Sequence, residues 1–225
     1  GFCLVGSEMC IRDRDYTQGL NDIFEKYETS GTWYAHASVG CLHVRPILNM
    51  KSNNDVIKMR AIAEEAFELV KKFDGSHSGE HGDGISRSEF NPIMFGEKLT
   101  NAFRELKSLM DPYGIFNPGK IVDAPKMDDR HLFRFSPGYT ASDFKTELDW
   151  STWSGSSNGF QGAVEMCNNN GACRKLQGGV MCPSFRITGE EKDSTRGRAN
   201  SLRLAMSGQL GPNAMTSPEM LETMK

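Results

Sequence analysis

Leu20, Ile23, Phe24 and Tyr27 recur at intervals of three and four, which predicts an amphipathic helix over Tyr16 to Tyr27, ended at Ser30-Gly31. Trp33 to Leu48 is rich in Trp, Tyr, Val and Ile and predicts extended chain. Val39-Gly40 interrupts it, giving two strand pieces around a bulge or tight turn. A second helix, capped by Asn54 or Asp55, carries Met59, Ala63, Ala66, Val70 and Phe73 as its apolar stripe and stops at Asp74-Gly75. A glycine-rich loop then spans Gly75 to Gly84. A third helix, Glu97 to Leu109, turns Leu99, Phe103, Leu106 and Met110 inward and ends at Asp111-Pro112-Tyr113-Gly114. Residues 15–123 therefore read as an α+β module.

The pattern changes after Asp123. Residues 124–159 are rich in Pro, Ser, Gly and Asp and read as a connector, with short extended stretches at Leu132 to Phe135 and Thr146 to Trp153. A second unit, residues 160–225, holds three clustered cysteines, a basic helical segment at Arg196 to Met206, and a last helix, Pro218 to Lys225, capped by Ser217. The first 14 residues stand apart. Leu4 to Arg14 (LVGSEMCIRDR) has neither apolar period nor capping logic and resembles the translation of a sequencing-library transposon adaptor. Residues 1–14 are accordingly set aside, and the natural reading frame is expected to continue beyond this chain.

Composition narrows the function classes. The 225 residues are 38% hydrophobic and 24% charged, which suits globular domains and excludes wholesale disorder. No apolar run approaches the roughly 18 residues that cross a bilayer. A cytoplasmic protein is expected, with a peripheral place at the inner membrane left open. Lys plus Arg is 26 against 29 for Asp plus Glu, so the net charge of -3 gives no general attraction to nucleic acid. Six cysteines are too few for a disulfide scaffold of this length, and the grouping of Cys167, Cys173 and Cys182 points to metal or cluster ligation in a reducing compartment.

The chemistry-bearing residues fall in three places. His36 and His43 are seven apart, an odd spacing that puts them on opposite faces of an unbroken strand; a turn at Val39-Gly40 brings both to one side, as a metal site needs. Arg45 shares a strand face with His43, where a guanidinium either grips a substrate carboxylate or forms a surface salt bridge. In Gly79-Glu80-His81-Gly82-Asp83-Gly84 the glycines permit close approach to a planar ligand, and Glu80 and His81 supply a hard metal ligand and a base; an ordinary glycine turn with solvated charges is the alternative. In the second unit, Cys182 is followed by proline, as in bacterial-type iron–sulfur runs, but Asn170 stands where a further cysteine is usual. A structural zinc site or unligated buried thiols remain open there.

Taken in order, His36-Ala-Ser-Val-Gly-Cys-Leu-His43, Ser78-Gly-Glu-His-Gly-Asp-Gly84 and Asp111-Pro-Tyr-Gly-Ile-Phe-Asn-Pro-Gly-Lys120 resemble the C-terminal cap domain of FAD-linked oxidoreductases. That family includes D-lactate, glycolate and D-2-hydroxyglutarate dehydrogenases. The resemblance implies a ferredoxin-like α+β cap over the flavin of a separate FAD-binding domain. It implies His36, His43 and Glu80 as ligands of a divalent metal such as zinc, His81 as the base beside the flavin, and Asn117 near the flavin. Two departures stand out: Ser38-Val39-Gly40-Cys41 replaces the Gly-Asp-Gly-Asn of many members, and Arg45 replaces a smaller polar residue.

The stretch from Cys167 to Arg203, with Met-Cys-Pro-Ser-Phe-Arg and Ser194-Thr-Arg-Gly-Arg-Ala-Asn200, resembles large bacterial proteins that fuse such an oxidase to an iron–sulfur domain. It implies a partial, mostly α-helical domain in which Cys167, Cys173 and Cys182 hold a 4Fe-4S cluster. The expected function is that of a fragment, inactive alone, of an FAD-dependent dehydrogenase that oxidises a small D-2-hydroxy acid. Electrons pass through the cluster to an external acceptor. The competing expectation is a non-catalytic metal-binding or electron-transfer module of a larger complex.

Overall fold

The computed structural model describes residues 2–36, 40–79, 83–139, 145–153, 159–179 and 181–225, with side chains from Asp13 onward. It divides into two compact units, Gly1–Pro137 and Gly138–Lys225.

In the first unit, helix α1 (Phe2–Lys26) begins well before the expected Tyr16, since no proline interrupts the stretch and a nucleated helix extends at little cost. Leu20 and Phe24 are buried as their spacing predicts. Strands β1 (Gly31–His36) and β2 (Cys41–Pro46) form the expected antiparallel pair. Val39 lies outside the described residues, and Gly40 adopts a left-handed turn conformation. Trp33 meets Phe24, with ring centroids 6.2 Å apart, so this face of the pair turns to α1.

Helix α2 (Asn53–Lys72) is capped by Ser52, whose hydroxyl accepts from the Asp55 amide, rather than by Asn54 or Asp55. The Asp55 carboxylate is engaged elsewhere, accepting from the Asn49 amide at 2.6 Å. α2 packs on α1 where Gly19 meets Leu69 and Tyr16 meets Phe73. Helix α3 (Asn91–Met110) breaks at Gly96, whose φ of 78° and ψ of 160° are not helical, so the continuous part begins at the expected Glu97. Its apolar stripe corrects the expectation. Leu99, Leu106 and Met110 are 50%, 61% and 75% exposed, and the buried positions are the polar Asn91 and Thr100. Period alone fixes that a face is apolar, not that a partner covers it.

Arg60 bonds Glu89 at 2.8 Å and Asp128 at 3.1 Å, and Glu89 also accepts from the Met127 amide. Arg130 reaches Asn53. These bonds draw residues 127–130 into the first unit, so the division at Pro137 falls inside the stretch read as a connector. Neither extended stretch expected there forms: residues 130–132 make a 3-10 turn, and the described residues 145–153 are turns and bends.

The second unit is helical among its described residues: α4 (Gly159–Glu165), α5 (Pro183–Thr188), α6 (Thr195–Met206) and α7 (Pro218–Met224). Ala205, Ala214 and Met220 form a small core with Leu202 and Met215 against it. Ser217 caps α7 as expected, and the wholly buried Ser194 caps α6 by accepting from the Gly197 amide at 2.9 Å.

Candidate functional site

Strand alternation and the observed register put Thr32, Tyr34 and His36 opposite Arg45, His43 and Cys41, on the face away from Trp33. His36 and His43 therefore do share a side, with ring centroids 5.1 Å apart. Arg45 stands on the same face, its guanidinium 5.7 Å from the Tyr34 ring centre. Two imidazoles this close, beside a cation, offer half of a divalent metal's ligands and one anchor for an anion.

Glu80, His81 and Gly82 lie outside the described residues, but both ends of their loop are fixed. A Cβ on Gly79 would stand 2.4 Å from the Cys41 sulfur, so the loop approaches the hairpin closely here and a larger residue would have to displace one of the two. At the other end, the Ser88 hydroxyl donates to the Gly84 carbonyl at 2.6 Å and accepts from the Ile121 amide at 3.2 Å. Asn91 donates to the Ile121 carbonyl. The three sequence motifs are thus joined in series: hairpin to loop through Cys41 and Gly79, loop to Asn117-Pro-Gly-Lys120 through Gly84, Ser88 and Ile121. Asn117 itself is exposed, in a left-handed conformation with φ of 48°.

A cavity of about 390 Å³ opens between β2, α1 and α2, with walls that include Leu20, Phe67 and Phe90 and polar groups that include His43, Arg45 and Arg87. The expected α2 stripe of Met59, Ala63, Ala66 and Val70 lines this cavity instead of filling a core. His77 also reaches it, with its ring 5.4 Å from that of Phe67 and 6.3 Å from that of Phe95. Burial holds the His77 imidazole below its usual value, against the pull of Asp83, so at neutral pH it is uncharged. Neither His77 nor Arg87 had a motif to mark it. Among the described residues no three His, Cys, Asp or Glu side chains stand together as a metal site; the expected third ligand, Glu80, falls outside them.

The turn after α3 is built on Asp111, whose carboxylate accepts from Lys107 and from the amides of Ile115 and Phe116, both at 2.9 Å. The Lys107 bond first, then the two amides, holds the Asp111 carboxyl below the ordinary aspartate range. A folded value below the unfolded one means the turn is fully stabilised above that range and loses this support as pH falls through the folded value. The amide shifts of Ile115 and Phe116 are therefore expected to stay constant down to about pH 4 and to move only below it. Movement between pH 5 and 6 would show that another group governs the turn.

In the second unit Cys182 lies at the start of α6 with Cys173 as a neighbour, and the three cysteines do not stand together as a metal site. The Cys182 sulfur lies 2.8 Å from the Thr195 hydroxyl and 3.1 Å from its amide nitrogen. The Thr195 hydroxyl, its amide and the Cys173 thiol all hold the Cys182 thiol below its usual value, against the opposing effect of burial. The Arg196 guanidinium, hydrogen-bonded first to Glu191, lies within electrostatic reach of Cys173 and Cys167. Soft sulfur donors beside cationic and amide donors suit a thiolate-bound metal or cluster.

Residues 14–121 match the model of the FAD linked oxidases, C-terminal domain. The matched segment takes in the hairpin, the glycine-rich loop and the Asn117 turn together. Over 190 residues, 84% of the chain, there is 34% identity to a D-2-hydroxyglutarate dehydrogenase of Pseudomonas putida, of which 18% is covered. The D-2-hydroxyglutarate dehydrogenase of Escherichia coli is 33% identical over 195 residues, again with 18% covered. A glycolate oxidase subunit of Bacillus subtilis is 29% identical over 104 residues, 46% of this chain and 22% of that protein. The chain spans about a fifth of the length of these relatives. An aligned length of 190 residues exceeds the 137 of the first unit, so the likeness to the D-2-hydroxyglutarate dehydrogenases runs into the cysteine-bearing unit beyond residues 14–121. No solved structure matches the chain.

Proposed function

We propose that the chain is part of an FAD-dependent dehydrogenase that oxidises a D-2-hydroxy acid to the 2-oxo acid and passes the electrons on through an iron–sulfur cluster. The observation that carries this reading is the serial joining of three motifs within the one matched segment, which brings the histidine pair, the loop ends and the Asn117 turn into one continuous structure.

In this reading His36, His43 and Glu80 hold a divalent metal such as zinc. Arg45 binds the substrate carboxylate by two parallel hydrogen bonds. His81 takes the proton from the substrate hydroxyl. Asn117 borders the flavin, and the apolar walls of the cavity keep water from the reacting carbon. When bound, FAD supplies hydride acceptance and the metal supplies Lewis acidity toward the hydroxyl. Arg87, across the cavity from no motif of its own, adds a second cation that suits a dicarboxylic substrate, in keeping with the D-2-hydroxyglutarate dehydrogenases that match most of the chain.

In the second unit Cys167, Cys173 and Cys182 are cluster ligands. Expressed whole and purified anaerobically, the reading frame containing this chain is expected to carry FAD, iron and acid-labile sulfide. D-2-hydroxyglutarate, D-lactate or glycolate is expected to bleach the flavin. Stoichiometric zinc in place of iron would assign the cysteines to a structural site, and an unbleached flavin with all three acids would overturn the dehydrogenase reading.

A further inference from the structure

We infer that Thr195 is a positioning residue for the cluster site: its hydroxyl and its amide both donate to the Cys182 sulfur, holding that ligand in place and stabilising negative charge on it. The inference rests on the iron–sulfur reading of the second unit. Three features of the chain support it.

Cys182 is 8% exposed and sits at φ 48°, ψ 68°, a left-handed conformation uncommon for a residue with a Cβ. Pro183 follows it at the start of α5, so the backbone on that side is restricted, and the sulfur is carried on a strained residue. Both its hydrogen bonds are to one residue: the Thr195 amide donates at 3.1 Å, and the Thr195 hydroxyl, 2.8 Å away, is the donor whenever the sulfur is a thiolate.

The donors are themselves held. The amides at the start of a helix lack partners within it. At α6 the Ser194 hydroxyl takes the Gly197 amide and the Ser194 carbonyl takes the Arg198 amide. The Thr195 amide is thereby left for the Cys182 sulfur. Gly197 locks the same turn against Glu191, where a Cβ would stand 1.9 Å from the Glu191 carbonyl oxygen.

Each electron accepted at the site adds one negative charge, shared between iron and its sulfur ligands. Hydrogen bonds to a ligand sulfur favour the more negative state and so raise the reduction potential. Valine has nearly the shape of threonine without the hydroxyl donor, and serine keeps the donor without the methyl group; both keep the backbone amide.

The test uses the whole reading frame, purified anaerobically, with dithionite as reductant in an EPR-monitored redox titration. Thr195→Val is expected to lower the reduced-to-oxidised ratio about tenfold at a fixed potential, near 59 mV for a one-electron couple, while Thr195→Ser stays close to wild type. Loss of iron from Thr195→Val alone also supports the assignment, as the holding role. A Thr195→Val protein with full iron and the wild-type potential overturns it, and so does equal loss of iron from both variants. Wild-type protein without iron or sulfide is a different failure: it removes the cluster reading itself, and Thr195 goes with it.

Discussion

Replacing His81 with alanine in the complete reading frame is expected to slow flavin bleaching by the 2-hydroxy acid about 10²- to 10⁴-fold, the range of a lost general base, with the divalent metal still bound. The expectation separates the two function classes the sequence left open, because an electron-transfer or metal-storage module needs no base. Proton removal from the hydroxyl is required before the carbon-bound hydrogen leaves as hydride, and the residue that performs it must be held close to the substrate. The structure bears on that requirement through the flanks of the loop. Gly79 is pressed on Cys41, which pairs directly with His36, and Gly84 is tied through Ser88 to the Asn117 turn. Both described ends of the loop are thus held, one of them against the histidine-bearing hairpin. Rapid-mixing absorbance of FAD and metal analysis of the same preparation give the two readouts. Undiminished bleaching in His81→Ala would remove His81 as the base, and metal loss alongside would assign it to ligation.

What the sequence made legible follows from which signals are local. The hairpin was readable because strand residues and an interrupting glycine fix strand pairing within a dozen residues, and with it the shared face of His36, His43 and Arg45. α2 and the cap of α7 were readable for the same reason. The inward stripe of α3 was not. Leu99, Leu106 and Met110 repeat at helical spacing, yet whether that face is covered depends on residues far away in the chain or beyond it. Arg60 shows the converse: its bonds to Glu89 and Asp128 span 29 and 68 residues and carried no local mark, and they place part of the expected connector in the first unit. Among the site residues, the cysteines were visible by type and grouping. Thr195 was not, because a threonine after a helix-capping serine is unremarkable until the Cys182 sulfur is seen 2.8 Å away.

Gly197→Ala is expected to destabilise the second unit by about 1–3 kcal/mol, the usual cost of overpacking, and to empty its cluster site. The new Cβ would meet a backbone carbonyl 1.9 Å away, and a carbonyl cannot turn aside as a side chain can, so the start of α6 must shift from Glu191. That shift moves Thr195 off the Cys182 sulfur and turns Arg196 from Cys173 and Cys167. Because the two units are separate compact bodies, the damage is confined: Trp150 and Trp153 lie in the second unit and Trp33 in the first, so single-tryptophan variants report each unit's unfolding apart. Gly79→Ala is the matched contrast. Its Cβ would meet the Cys41 sulfur, the end of a side chain that can rotate, so the fold is expected to persist while the loop lifts from the histidine face. Gly79→Ala should then lose the divalent metal and keep iron, and Gly197→Ala should lose iron and keep the divalent metal. Loss of both metals from either variant would mean that the two sites do not depend on separate units.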